Sequence, residues 1–198
     1  MTTANNRTSE HDVDPMFLAR WSPRAFTGEV MPHDVLMSLF EAAHWAPSAF
    51  NAQPWRFVYA RRETADWDRL FEVLIPYNQL WVKNASVLMF IVSDRARRTP
   101  GGVPQPLRSH AFDAGAAWAY LALQASRLGW AAHGMAGFDL AKSYEVLGVA
   151  EADYQVEAAI AVGRQADPSV LDEAFRAREV PSPRNPVASF AFEGTFKP

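Results

Sequence analysis

The chain has 198 residues, 49% of them hydrophobic and 21% charged, with a net charge of −3 and no cysteine. That is the balance of one ordinary globular domain. It excludes disulfides, thiolate metal sites and cysteine nucleophiles, and it offers no basic field for a nucleic acid. No apolar run approaches the ~20 residues that span a bilayer, so no membrane partner is expected and the chain reads as cytoplasmic.

Residues 1–14 are polar and read as a flexible leader ahead of a single domain over 15–198. Asp14 followed by Pro15 is a capping residue with proline at the first helical position, which predicts a short helix to Arg20 or Trp21. Pro32 opens a second helix, where Val35, Leu36, Leu39, Phe40 and Ala43 recur at helical spacing, and Pro47 stops it. Residues 47–54 are then a loop and 55–60 a strand. A helix follows over about 64–74, with a break at Pro76. Residues 86–93 (SVLMFIVS) form a continuous apolar run of strand length, as in a strand buried on both faces at the centre of a sheet.

Residues 99–107 hold three prolines and two glycines and predict a loop or lid. The next segment, 109–128, is mostly Ala, Leu, Trp and Tyr with Gly129 behind it, which predicts a long helix buried on every side. Residues 130–136 suit a short strand, Asp139 caps a helix ending near Gly148, and 155–162 alternate into a last strand. Roughly four strands and five or six helices make an α+β or α/β sandwich whose strand order cannot be read. The segment beyond Gly163 carries Phe190, Phe192 and Phe196, apolar groups that dock on the domain or on a partner. A dimer would cover this surplus of apolar surface.

Three constellations carry possible chemistry. Arg20, Ser22 and Arg24 set two guanidinium forks and a hydroxyl around the rigid Pro23, which suits a phosphate; the alternative is a solvated basic helix end. Asn51 and Gln53 place two carboxamides beside the Pro47-Ser48 turn. Their donors and acceptors match the edge of a planar heterocycle such as a flavin pyrimidine ring, and equally match an Asx-type turn. Gly134 and Met135 follow His133 at the end of a predicted strand. There a glycine permits close backbone approach to a ligand, or simply makes a connection. His133 is either a proton donor or a packed side chain. His33, His44 and His110 show no metal-ligand spacing, and no metal site is expected. Serine-hydrolase elbows, P-loops and G-x-G-x-x-G turns are absent from the sequence.

Taken in order, RWSPRAF from Arg20, PSAFNAQPWRF from Pro47, the Gly134 segment and R-E-x-P-x-x-R from Arg178 resemble the nitroreductase family of flavoproteins. The resemblance covers about 15–196. It implies an α+β fold, an α/β/α sandwich with a central, mostly antiparallel sheet flanked by helices. It further implies an intertwined homodimer with two FMN sites between subunits. Arg20, Ser22 and Arg24, joined by Arg184, would then hold the phosphate and ribityl chain. Asn51 and Gln53 would bind the ring edge, with Pro47 and Ser48 near its face, on the other subunit from Gly134 and Met135. Segment 109–128 would be the dimer core, and the tail from about 164 would extend over the partner. The implied activity is ping-pong hydride transfer from NADH or NADPH to a small acceptor such as a nitroaromatic, quinone or enone. No residue is thereby assigned as certainly catalytic. A specialised flavin-destructive, dehalogenating or ene-reducing member, and a flavin-storage protein, remain alternatives.

Overall fold

The computed structural model describes residues 5–197; residues 1–4 of the expected leader, and Pro198, lie outside the described residues. Helix α1 (Pro15–Ala19) starts as its sequence dictates, with the Asp14 carboxylate accepting from Met16 N at 2.8 Å. Helix α2 (His33–His44) buries Leu36, Leu39 and Ala43 on one stripe. A 3-10 turn over Ala49–Asn51 leads to strand β1 (Trp55–Arg61). Helix α3 (Ala65–Phe71) is shorter than its periodicity suggests. Pro76 is more than a break, because it occupies the first turn of helix α4 (Pro76–Val82), a position where its missing N–H costs nothing.

Strand β2 (Val87–Asp94) is buried at all eight positions and lies inside the sheet, as its continuous apolar run requires. A two-residue ribbon, β3 (Ala96–Arg97) against β4 (Gln105–Pro106), closes the Pro- and Gly-rich segment. Helix α5 (His110–Arg127), strand β5 (Ala131–Met135), helix α6 (Leu140–Leu147), strand β6 (Tyr154–Gly163) and the short helix α7 (Glu173–Arg176) follow, with 3-10 turns over Pro168–Val170 and Val187–Ser189. Asp139 caps α6 by accepting from Lys142 N, and Gly148 ends it at φ 68°, where a side chain would be strained.

The main sheet has the order β1-β2-β6-β5, and every neighbouring pair in it is antiparallel. Alternation along β2 sends Val87, Met89 and Ile91 into a core with α2 and α5, and Leu88, Phe90 and Val92 into a second core with α3 and α4. Two helical layers therefore cover one sheet, the α/β/α arrangement expected. A register shift opposite Ile91 and Val92 of β2 leaves Glu157 as an extra residue on β6, between Val156 and Ala158.

One expectation fails for the single chain. Helix α5 is not buried on every side: Ala114, Ala117, Leu121, Ala122 and Ala125 face the core, whereas Phe112 is 82% exposed and Tyr120 is 42% exposed on the outer face. Alanine on both faces, with Gly115 on the outer one, erases the periodicity from which a two-sided helix is read. Among the described residues, no helix is long and apolar enough to cross a membrane.

Candidate functional site

Residues 20–27 leave α1 in extended form and are held from three directions. Phe26 pairs with Gln165, Thr27 N donates to Arg164 O at 3.0 Å, and Ala166 N donates to Ala25 O at 2.9 Å. From the C-terminal segment, the Glu179 carboxylate, 1% exposed, accepts from Arg24 N at 2.6 Å and from Ala25 N at 2.8 Å through Oε1. Its Oε2 lies 4.0 Å from the Arg24 guanidinium. From β5, the His133 ring bonds the Pro23 carbonyl through Nδ1 at 3.0 Å. The Arg24 guanidinium also sits 5.9 Å from the Trp81 ring.

This framing turns Arg20, Ser22 and Arg24 toward a cavity of about 280 Å³ whose lining also includes Arg7, Arg178 and Arg184. Among the described residues, no carboxylate lines it. Arg20 Nη1 donates to Ser22 Oγ at 3.3 Å. Burial, together with the Arg184 charge, holds the Arg20 guanidinium below its ordinary pKa, and burial with Arg184 and Arg20 does the same to Arg7. Guanidiniums gathered in this way repel one another, and an anion among them would relieve that repulsion with charge-assisted hydrogen bonds.

A second cavity of about 580 Å³ adjoins the first and shares Arg20 and Ser22 with it. Phe17 of α1, Trp118 and Leu123 of α5, Gly134 and Met135 of β5, and Ala158 of β6 contribute to its largely apolar wall. Gly134 leaves room here: a Cβ at that position would stand 3.2 Å from Trp118 Cζ2, a close contact that the ring would have to yield to. Beside the two cavities, His133 packs 4.7 Å from the Trp81 ring centroid. Burial pushes its pKa down to about 4 against the hydrogen bond to the Pro23 carbonyl, and the Arg24 and Arg20 charges push the same way as burial. The ring is therefore neutral at pH 7.

The carboxamide loop lies apart. Pro47, Ser48, Asn51 and Gln53 line neither cavity of the single chain. Ser48 Oγ accepts from Gln53 N at 3.0 Å, and Gln53 Nε2 donates to Asn51 O at 3.3 Å. Asp113 of α5 accepts from Ala49 N at 3.1 Å and from Ser109 Oγ at 2.9 Å, tying the loop to the start of that helix. Phe50, Asn51 and Gln53 adopt φ values of 54°, 52° and 48°, interrupted by Ala52 at φ −70°, and each such positive-φ non-glycine residue costs of order 1–3 kcal/mol. Such strain concentrates at ligand clamps.

Five residues at the site carried no assigned role in the sequence. Arg7 sat in a polar stretch without pattern. Arg178 and Glu179 belong to R-E-x-P-x-x-R, but nothing local distinguishes them from solvated charges. Phe17 and Trp118 read as ordinary apolar helix positions.

Comparisons with known proteins agree with this architecture. The sequence model of the nitroreductase family matches residues 18–76 and 72–164. A solved structure of an oxidoreductase containing FMN is 50% identical, with a TM-score of 0.94 over 100% of this chain and 99% of that one. A Desulfovibrio desulfuricans nitroreductase solved in complex with FMN is 26% identical, with a TM-score of 0.71 over 94% of this chain and 100% of that one. A Rhodopseudomonas palustris protein named NADH dehydrogenase/NAD(P)H nitroreductase is 30% identical over 142 residues, 64% of this chain and 72% of its own.

Proposed function

The chain belongs to the nitroreductase family, and on that premise we propose that it is an FMN-dependent oxidoreductase that moves hydride from NADH or NADPH to a small acceptor such as a nitroaromatic, quinone or enone. The observation that carries this reading is the pair of adjoining cavities sharing Arg20 and Ser22, one cationic and one largely apolar. That donor set fits a phosphomonoester joined to a flat aromatic ring. Arg20, Ser22, Arg24 and Arg184 hold the phosphate end, and Gly134 and Met135 border the ring end. When bound, FMN supplies reversible two-electron hydride exchange, which lets donor and acceptor use one face in turn.

The protein's own part is placement and exclusion of water. Glu179 fixes the backbone of Arg24 and Ala25, so the guanidinium forks start from a rigid base. Trp118 and Leu123 present apolar surface to one side of the larger cavity. The other side is supplied by a second copy of the chain. The outer face of α5, with Phe112 and Tyr120 exposed, and the exposed Phe190 and Phe196 of the C-terminal segment give the apolar surface for a homodimer. In that dimer the loop bearing Pro47, Ser48, Asn51 and Gln53 reaches the ring edge of the partner's site, which accounts for its distance from the cavities of its own chain.

Steady-state kinetics of the FMN-loaded protein test the proposal. Parallel double-reciprocal lines with NADH or NADPH varied against a nitroaromatic, a quinone and an enone support it. Bound flavin with no turnover for any pair rejects it in favour of the storage reading.

A further inference from the structure

Arg7 lies outside the family-matched region, yet its guanidinium joins three parts of the chain at the cationic cavity. Its Nη1 donates to Arg20 O at 2.8 Å and to Leu18 O at 3.3 Å, and its Nε donates to Ser182 O at 2.9 Å. One side chain from the N-terminal segment thus bridges the end of α1 and the C-terminal segment. Two further bonds follow the same route: Asn5 Nδ2 donates to Leu18 O at 2.8 Å, and Val187 N donates to Glu10 Oε2 at 3.3 Å. Arg184, on the C-terminal side, turns its Nη1 onto Ser182 Oγ at 3.1 Å and Pro183 O at 2.9 Å.

The bridge is assembled from like charges. Arg7 and Arg20 lie 13 positions apart and Arg184 comes from the far C-terminal segment, and among the described residues no carboxylate lines the cavity they share. The Glu179 carboxylate nearby is turned onto the Arg24 and Ala25 amides. Backbone carbonyls accept from Arg7 Nε and Nη1 but carry no formal charge to offset the repulsion. A phosphate dianion in the middle converts that repulsion into attraction for all three guanidiniums at once.

Resting on the reading of this cavity as the FMN phosphate site, we propose that Arg7 is a further phosphate-site residue, and that phosphate binding there fastens the N-terminal and C-terminal segments to the domain. Loading of the cofactor then tightens the docking that the Arg7 bridge and Glu179 already provide, with the phosphate rather than the ring as the coupling element.

Comparison of FMN with riboflavin, which has the same ring and lacks the phosphate, tests this. Both are titrated into the cofactor-free full chain, the parent, Arg7→Ala and Arg7→Lys, by quenching of flavin fluorescence. Amide hydrogen exchange is followed over residues 5–10 and 178–187 in parallel. The expected result is that Arg7→Ala lowers the preference for FMN over riboflavin by roughly tenfold, the scale of one charge-assisted hydrogen bond. Riboflavin affinity stays within about twofold and Arg7→Lys recovers part of the loss, as a point charge without the fork should. In the parent, FMN slows exchange in both segments and riboflavin does not; in Arg7→Ala, FMN no longer protects residues 5–10. If the parent prefers FMN and Arg7→Ala keeps the full preference, or weakens both flavins equally, Arg7 is a structural brace and the proposal is overturned. A parent that binds neither flavin, or binds both equally, removes the FMN-phosphate reading itself and this inference with it.

Discussion

Replacing Glu179 by alanine removes a carboxylate that is 1% exposed and accepts from two backbone amides, Arg24 N at 2.6 Å and Ala25 N at 2.8 Å. A hydrogen bond to a charged group contributes about 1.5–3 kcal/mol, so loss of the pair costs about 3–6 kcal/mol in the cofactor-free protein. That is a large share of the 5–15 kcal/mol that typically holds a domain folded. For a chain of this size it corresponds to a fall in Tm of roughly 6 to 24 °C. Glu179→Gln keeps an oxygen that can face both amides and loses the charge, so its cost is about 1–3 kcal/mol. Urea unfolding followed by tryptophan fluorescence reads both values. An alanine variant within about 1 kcal/mol of the parent would refute the claim that this carboxylate anchors the segment carrying Arg20 to Arg24.

His133 makes stability depend on pH. Its pKa falls from 6.5 to about 4 on folding, so the unfolded chain takes up a proton in that window and the folded chain does not. The contribution is complete above pH 6.5 and is lost as the pH drops toward 4, by about 3 kcal/mol in all. The difference between parent and His133→Asn in urea melts across that range should show this slope, and superimposable pH profiles would reject it. Gly134→Val pushes a Cβ to 3.2 Å from Trp118 and fills part of the larger cavity. Riboflavin affinity should fall at least about tenfold, and the folded state should weaken by about 1–3 kcal/mol from overpacking. Phe112→Asp on the outer face of α5 should shift sedimentation toward a monomer and lower FMN affinity, with the circular dichroism of the fold retained. A variant that stays dimeric would remove α5 from the interface.

Much of the layering was legible because its signals are local. The apolar run of β2 placed it inside the sheet, Asp14-Pro15 and Asp139 marked helix starts, and Gly129 and Gly148 marked ends. Two features were not legible for a shared reason, that they depend on what lies across the structure. Helix α3 ends at Phe71, before Pro76, which starts α4, and only the packing of Trp81 and Val82 into the core decides that a helix follows. The outer face of α5 carries the same alanine-rich composition as its inner face, so the sequence alone does not separate them. In the site, Arg20, Ser22 and Arg24 are legible from residue types suited to a phosphate, whereas Arg184 comes only with the family resemblance. Arg7 is a single arginine in a patternless stretch, and Glu179 acts through a long-range bond to residues more than 150 positions away.

The most direct test of the central claim is the near-ultraviolet and visible spectrum of the purified protein after incubation with FMN and gel filtration, recorded before and after anaerobic addition of NADH or NADPH. The account predicts a yellow protein that bleaches with a reduced nicotinamide and recovers its colour when an acceptor is added, and that loses retained flavin when Arg20 and Arg24 are both replaced by alanine. A protein that passes through the column colourless, or whose flavin is retained equally well without Arg20 and Arg24, contradicts it.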